Sequence, residues 1–167
     1  MRHNPFCLDK KRVIPIIYRN AILPDVESIH RLVYDYAQDG LMLARSRNQL
    51  YETIRDMIVA EEDGHIVGVG GLHVVWDAIA EIRTLAVAKS ATRKHIGSEI
   101  VLRLIADGKK LGIETFFTLT YQPEFFSSLS FREVTKDKLP QKIWKECIDC
   151  PKFPNCDEIA MILMNKK

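Results

Sequence analysis

The chain has 167 residues, 47% hydrophobic and 28% charged, a composition that suits one globular domain able to bury a core and excludes a disordered or fibrous chain. Its net charge of +2 is too small for a concentrated nucleic-acid-binding face. The apolar runs fall short of the roughly 18 to 20 residues of a membrane span, the polar start MRHNPFCLDKKR lacks a signal-peptide core, and four unevenly spaced cysteines do not frame a secreted disulfide fold. The expectation is a single domain over 1–167, cytoplasmic, with neither nucleic acid nor membrane as partner.

The first ten residues read as a loose arm, and RVIPIIYRN as an edge strand because it contains Pro15. LPDVESIHRLVYDYAQDG follows as a helix, with Pro24 in its first turn, Val26, Ile29, Val33 and Tyr36 on one face, and Gly40 at its end. A Ser46-x-x-Gln49 capping box opens a second helix whose buried stripe is Leu50, Ile54 and Met57 or Ile58. MIVAEEDGHIVGVGGLHVVW is a hairpin turning at Asp63-Gly64. After a turn near Asp77 comes the strand AIAEIRTLAVA. A helix over 96–106 follows, with Ile96, Ile100, Leu104, Val101 and Ile105 buried, fading at Gly108 and Gly112. The strand IETFFTLT, a short helix over PEFFSSL and the strand FREVT complete the order β-α-α-β-β-β-α-β-α-β. The tail holds LPQKIWKEC, a cysteine-containing loop and a closing strand EIAMILM. Early hairpin strands and later strand-helix-strand crossovers predict an α+β (mixed α/β) fold with helices on both faces of one sheet.

Between the strand ending at Val87 and the helix starting near Ile96 lies a polar loop with one glycine, Gly97, at its far end. Alone it is a basic turn with Lys89, Arg93 and Lys94 solvated. In its setting, unpaired N–H groups of the helix N-terminus, the helix dipole and basic side chains make a pyrophosphate site.

These segments resemble the GNAT superfamily of N-acetyltransferases. Its acetyl-CoA motif is a strand ending in an LAV-like run, a polar spacer, then Arg/Gln-x-x-Gly-x-Gly/Ala opening a helix. Here the strand is EIRTLAV and the motif falls on Thr92, Arg93, Lys94, His95, Ile96 and Gly97, with Thr92 in place of Arg or Gln and His95 in place of the first glycine. EFFSSLSFREV is similar to the closing signature of the superfamily, with Phe126 where a tyrosine is common and Ser130 where glycine is usual. The resemblance implies a mostly antiparallel mixed sheet and acetyl-CoA as cosubstrate, held by Leu85, Ala86, Val87, Thr92, Arg93, Lys94, His95, Ile96, Gly97 and Ser98. It also makes a homodimer a partner to consider.

Acetyl transfer from a thioester to an amine needs a neutral amine, a stabilised oxyanion and a proton for the thiolate. The resemblance implies a backbone N–H near Val87 for the oxyanion and Glu81 as general base; a strand glutamate paired with Arg83 or facing solvent is the alternative. Phe126 carries no acidic proton, so Tyr121 is the candidate general acid, against an ordinary hydrogen-bonded core tyrosine.

Arg45 and Ser46 precede a helix N-terminus and form a grip for a carboxylate, to which Arg83 would add a second cation. Plain capping by Ser46 and a surface Arg45 are the alternatives. MLARSRNQL, EIRTLAV and the tail LPQKIWKECIDCPKFPNCDEIAM are similar to short bacterial N-acetylglutamate synthases of arginine biosynthesis. That resemblance implies transfer to the α-amino group of a free amino acid, L-glutamate first, with glutamine or another small amine as alternative substrates. A chain of this length leaves no room for an amino-acid-kinase domain. A catalytically weak CoA-binding sensor is a rival, motivated by His95 and Phe126.

Over about 140–157, Cys147-x-x-Cys150-x5-Cys156 has one zinc-like spacing but three thiols where a closed site wants four ligands. Structural zinc on Cys147, Cys150 and Cys156, or a small metal-binding interaction module, stands beside reduced thiols packing a loop.

Overall fold

The computed structural model describes residues 14–139, 147–148 and 150–165. The predicted arm, the first two residues of RVIPIIYRN and nearly all of LPQKIWKEC lie outside them. The apolar periodicities become β1 (Ile16–Asn20), α1 (Val26–Gln38), α2 (Arg47–Glu52), β2 (Met57–Glu62), β3 (His65–Trp76), β4 (Ile79–Val87), α3 (Ile96–Lys110), β5 (Thr115–Thr120), α4 (Pro123–Ser128), β6 (Arg132–Val134) and β7 (Ile159–Met164). No helix among the described residues is long and apolar enough to cross a membrane.

Among the described residues one seven-stranded sheet runs in the order β1-β2-β3-β4-β5-β7-β6. Only β4 and β5 pair in parallel; the other neighbours are antiparallel. The mixed, mostly antiparallel sheet is therefore as expected, and β1 is an edge strand with Pro15 just ahead of it. Along β3 the side chains alternate between two cores. Gly68, Gly70 and Leu72 face α3, where Ile100 and Leu104 pack so closely that a Cβ on Gly70 would lie 2.6 Å from Ile100. Val69 faces the opposite way, into a second core with Val26, Ile29 and Val33 of α1 and Leu50 of α2. Helices cover both faces.

Local signals set the turns. Asp63 and Gly64 take φ of 53° and 75°, the left-handed pair that a two-residue hairpin requires. Ser46 Oγ accepts from Gln49 N at 3.2 Å and Gln49 Oε1 accepts from Ser46 N at 2.9 Å, completing the predicted capping box. Two helix lengths depart from the periodicity. α2 stops at Glu52 and Met57 opens a strand, because Met57 pairs with Gly71 of β3 rather than extending the helical stripe. α3 runs past Gly108 to Lys110. At Gly108 the helix presses on Phe116, and a Cβ there would stand 2.5 Å from Phe116 Cε1, so the glycine serves packing and does not stop the helix.

The sheet opens in its middle. β4 and β5 pair only from Ile79 and Thr115 to Glu81 and Phe117, after which β4 continues to Val87 and β5 to Thr120. The cause lies on the other side of β4. Val69 is opposite Ala86 and Gly71 opposite Arg83, so Gly70 alone faces both Thr84 and Leu85. This bulge puts buried Thr84 at φ 58°, a conformation a β-branched residue rarely adopts. A bulge bends its strand and increases its twist, which turns the end of β4 away from β5.

Candidate active site

A cavity of about 1130 Å³ occupies the splay. Single-ligand pockets span about 300–1,000 Å³, so a long cofactor arm and an acceptor fit together. Its walls come from the ends of β4 and β5, from α4, from the segment before α2 and from the tail beyond β6.

On the cofactor side, the loop after β4 makes a short 3-10 turn (Lys89–Ala91) and then passes through Arg93 and His95 at φ 67° and 57°. His95 is the N-cap of α3 and makes no side-chain capping bond, which leaves the first N–H groups of a 15-residue helix to a ligand. Leu85, Ala86, Val87, Thr92 and Gly97 line the cavity. A Cβ on Gly97 would meet Phe125 Cζ at 3.4 Å and Val87 Cγ2 at 3.6 Å, so the bare residue leaves this part of the cavity open. This cradle fits acetyl-CoA. Other candidate residues contribute differently. The side chain of Ile96 is buried in the core, leaving only its backbone for the cofactor, and Ser98 is half-buried in the first turn. Exposed Lys94 pairs with Glu62 at 2.7 Å, a surface interaction worth less than about 1 kcal/mol that a phosphate can displace. Arg93 is exposed beside it.

On the acceptor side, Arg45, Glu81 and Arg83 all line the cavity and are half-buried. Ser46 does not join them. It is exposed, and its hydroxyl is engaged in capping α2, so the expected two-residue grip reduces to Arg45. His73 also lines the cavity and was not anticipated, because only the register shift between Val74 and Trp76 brings it opposite Glu81.

Tyr121 also lines the cavity, in a network with the tail. Its hydroxyl donates to Asp157 Oδ1 and accepts from Lys152 Nζ. The ammonium sits 4.2 Å from the ring centroid and 3.8 Å from Glu158 Oε1. Burial and the Asp157 carboxylate raise the Tyr121 pKa, so the phenol keeps its proton at neutral pH. Burial likewise raises that of Glu158. Phe126, where the resemblance has tyrosine, is a core ring set edge-on to Phe125 and Phe131 with centroids 5.0 and 5.3 Å away. Ser130 stands at φ 69°, which explains the usual glycine.

Cys147, Cys150 and Cys156 form no disulfide with one another and lie half-buried on the cavity wall, a position their spacing did not reveal. Among the described residues no group of three or more His, Cys, Asp or Glu is arranged to hold a metal, so the zinc reading finds no support.

A bulged strand parting from its parallel neighbour, a glycine-bearing helix N-terminus below the gap and a carboxylate on the gap's wall define an acyltransferase site. The chain belongs to the acetyltransferase (GNAT) family, whose model matches residues 23–131, and it is an acetyl-CoA-dependent N-acetyltransferase. It is 40% identical over 144 residues to an uncharacterized N-acetyltransferase of Chlorobaculum tepidum, covering 86% of this chain and 93% of that one. It is 35% identical over 133 residues to an amino-acid acetyltransferase of Mycobacterium tuberculosis, covering 78% and 76%. A crystal structure of a Mycobacterium tuberculosis protein in complex with CoA and NLQ superposes with a TM-score of 0.79 at 32% identity, covering 89% of this chain and 98% of that one. N-acetylglutamate synthase from Neisseria gonorrhoeae, complexed with coenzyme A and N-acetyl-glutamate, shares the fold with a TM-score of 0.83 at 23% identity, covering 92% of this chain and 36% of that one.

Proposed function

We propose that the protein moves the acetyl group of acetyl-CoA to the α-amino group of a free amino acid, L-glutamate first and glutamine second, as a step of arginine biosynthesis in the cytoplasm. The observation that supports this reading is that Arg45, Arg83 and Glu81 all line the one cavity. Two guanidinium groups suit a carboxylate, which every free amino acid carries beside its amine. Glu81 takes the ammonium proton, the amine attacks the thioester carbonyl, and backbone N–H near Val87 meets the oxyanion. Tyr121 returns a proton to the departing thiolate, and Asp157 and Lys152 orient its hydroxyl. The name of the Mycobacterium tuberculosis relative supports the same substrate class.

A thiol-release assay tests this, with acetyl-CoA against the standard free amino acids and with a polyamine and a lysine-containing peptide as controls. Turnover confined to glutamate and glutamine is expected. Turnover of the polyamine or peptide instead, or silence across the panel with CoA bound, would overturn the substrate assignment.

A further inference from the structure

Two neighbouring strands and the turn just ahead of a third bring a row of titratable side chains together. Glu81 of β4 is in register with His73 of β3. Directly opposed residues of an antiparallel pair project to the same face with Cβ atoms about 4.5–5.5 Å apart. On the far side of His73, Asp56 immediately precedes β2, and its Oδ2 lies 3.5 Å from His73 Nδ1. Such contacts are often long before substrate binds. Glu81 and His73 line the cavity, and the side chains of His73 and Asp56 are 27% and 38% exposed. The row runs from the acceptor chamber to solvent. The other charged groups lining the cavity are Arg45, from the segment before α2, Arg83, from β4, and Lys136 and Glu158, from the tail beyond β6.

The reaction needs an outlet there. A free amino acid arrives as an ammonium ion, which has to lose one proton before its nitrogen can attack, and that proton has to leave the chamber before the next turnover. Resting on the amino-acid acetyltransferase reading, we propose that His73 is the proton-exit residue of this enzyme. Glu81 accepts the ammonium proton and passes it to Nε2 of His73. Asp56 accepts a hydrogen bond from the Nδ1–H and steadies the imidazolium, which releases the proton to water. Nitrogen loses one proton, Glu81 and His73 each gain and lose one, and no electrons move. A second proton leaves nitrogen as the tetrahedral intermediate collapses and is balanced by protonation of the CoA thiolate.

The test compares wild type, His73→Gln and His73→Ala in the thiol-release assay from about pH 6 to about pH 10. Both variants are expected to lose about 10- to 100-fold in kcat at the acid end. The deficit should close as pH approaches the amine's own pKa, KM for acetyl-CoA should hold, and added imidazole should restore His73→Ala. A uniform loss at every pH without imidazole rescue, or no loss, would overturn the proposal. NMR titration of the His73 ring in wild type and Glu81→Gln, without acceptor, keeps the two readings apart. An unmoved midpoint would dismiss the Glu81–His73 couple whatever the substrate. A moved midpoint in a protein inert toward every amino acid would uphold the couple and dismiss the substrate.

Discussion

The hydroxyl of Tyr36 donates a hydrogen bond of 2.6 Å to the carbonyl oxygen of Val87, tying the last turn of α1 to the residue where β4 ends. That strand end is free of β5, so Tyr36 holds it from the opposite core. Tyr36→Phe removes the hydroxyl and keeps the ring. A loss of about 1 kcal/mol in stability and a fall of about 5- to 10-fold in kcat are expected. Urea denaturation and steady-state kinetics measure the two, and an intact kcat would show that other contacts hold the end of β4.

Arg45 is the one member of the predicted Arg-Ser grip that reaches the cavity. Arg45→Ala should raise KM for the amino acid by about 10- to 100-fold, the worth of one charge-assisted contact, and leave acetyl-CoA affinity unchanged by calorimetry. Arg45→Lys should fall between, since lysine keeps the charge without the planar fork. An unchanged KM in both would remove Arg45 from the site.

His95 and Ser130 occupy left-handed backbone positions where the family pattern has glycine. The conformation costs a non-glycine residue about 1–2 kcal/mol, of which glycine's greater freedom in the unfolded chain returns part. His95→Gly and Ser130→Gly are each expected to stabilise by about 0.5–1 kcal/mol in urea melts. Destabilisation by Ser130→Gly would mean that the serine side chain contributes more than the strain.

Asp25 gives the acid limit of stability. Its buried carboxyl is held below the usual carboxylate range, first by the hydrogen-bonded Arg19 guanidinium at 2.7 Å and then by the Ile22 N–H at 2.8 Å. A depressed folded pKa contributes stability that is complete above the unfolded value of about 3.9 and disappears as pH falls through the folded value. Asp25→Asn should therefore cost about 2–3 kcal/mol near neutral pH and lose less than wild type on acidification below about pH 4. Parallel urea midpoints for the two proteins across that window would assign the acid sensitivity elsewhere.

The three cavity thiols make a chemical footprint. Alkylation of Cys147, Cys150 and Cys156 with iodoacetamide should slow acetyl transfer at least about tenfold, because each adduct fills space the ligands need. Acetyl-CoA with acceptor should protect, as mapped by mass spectrometry. A variant with serine at all three positions should resist the reagent, and full activity after complete modification would place the ligands away from this wall.

Features written in a few adjacent residues were legible in the sequence: the Ser46-Gln49 cap, the Asp63-Gly64 turn, the apolar stripe of α3 and the loop feeding its N-terminus. What was not legible needs a partner distant in the chain. Gly108 reads as a helix stop until Phe116 is seen against it. Met57 fits a helical stripe until Gly71 claims it for the sheet. Tyr121 was located as a hydroxyl near the chemistry, but its partners Lys152 and Asp157 lie 31 and 36 residues away. The cysteines invited a metal reading because their spacing is local, whereas the cavity they face is built by β4 and β5.

Among the described residues β7 is the last strand in sequence, yet it lies between β5 and β6 and is the only strand paired with β6. During synthesis, therefore, the core shared by α1, α2 and the strands β2 to β4 can form early, whereas the core under α3 waits for Phe116 and Met161, and β5 at first presents a bare edge. The cavity gains the part of its wall that carries Cys156 and Glu158 only when the segment just ahead of β7 has left the ribosome. Loss of the six residues of β7 would leave the facing edges of β5 and β6 open and suited to pairing with other chains.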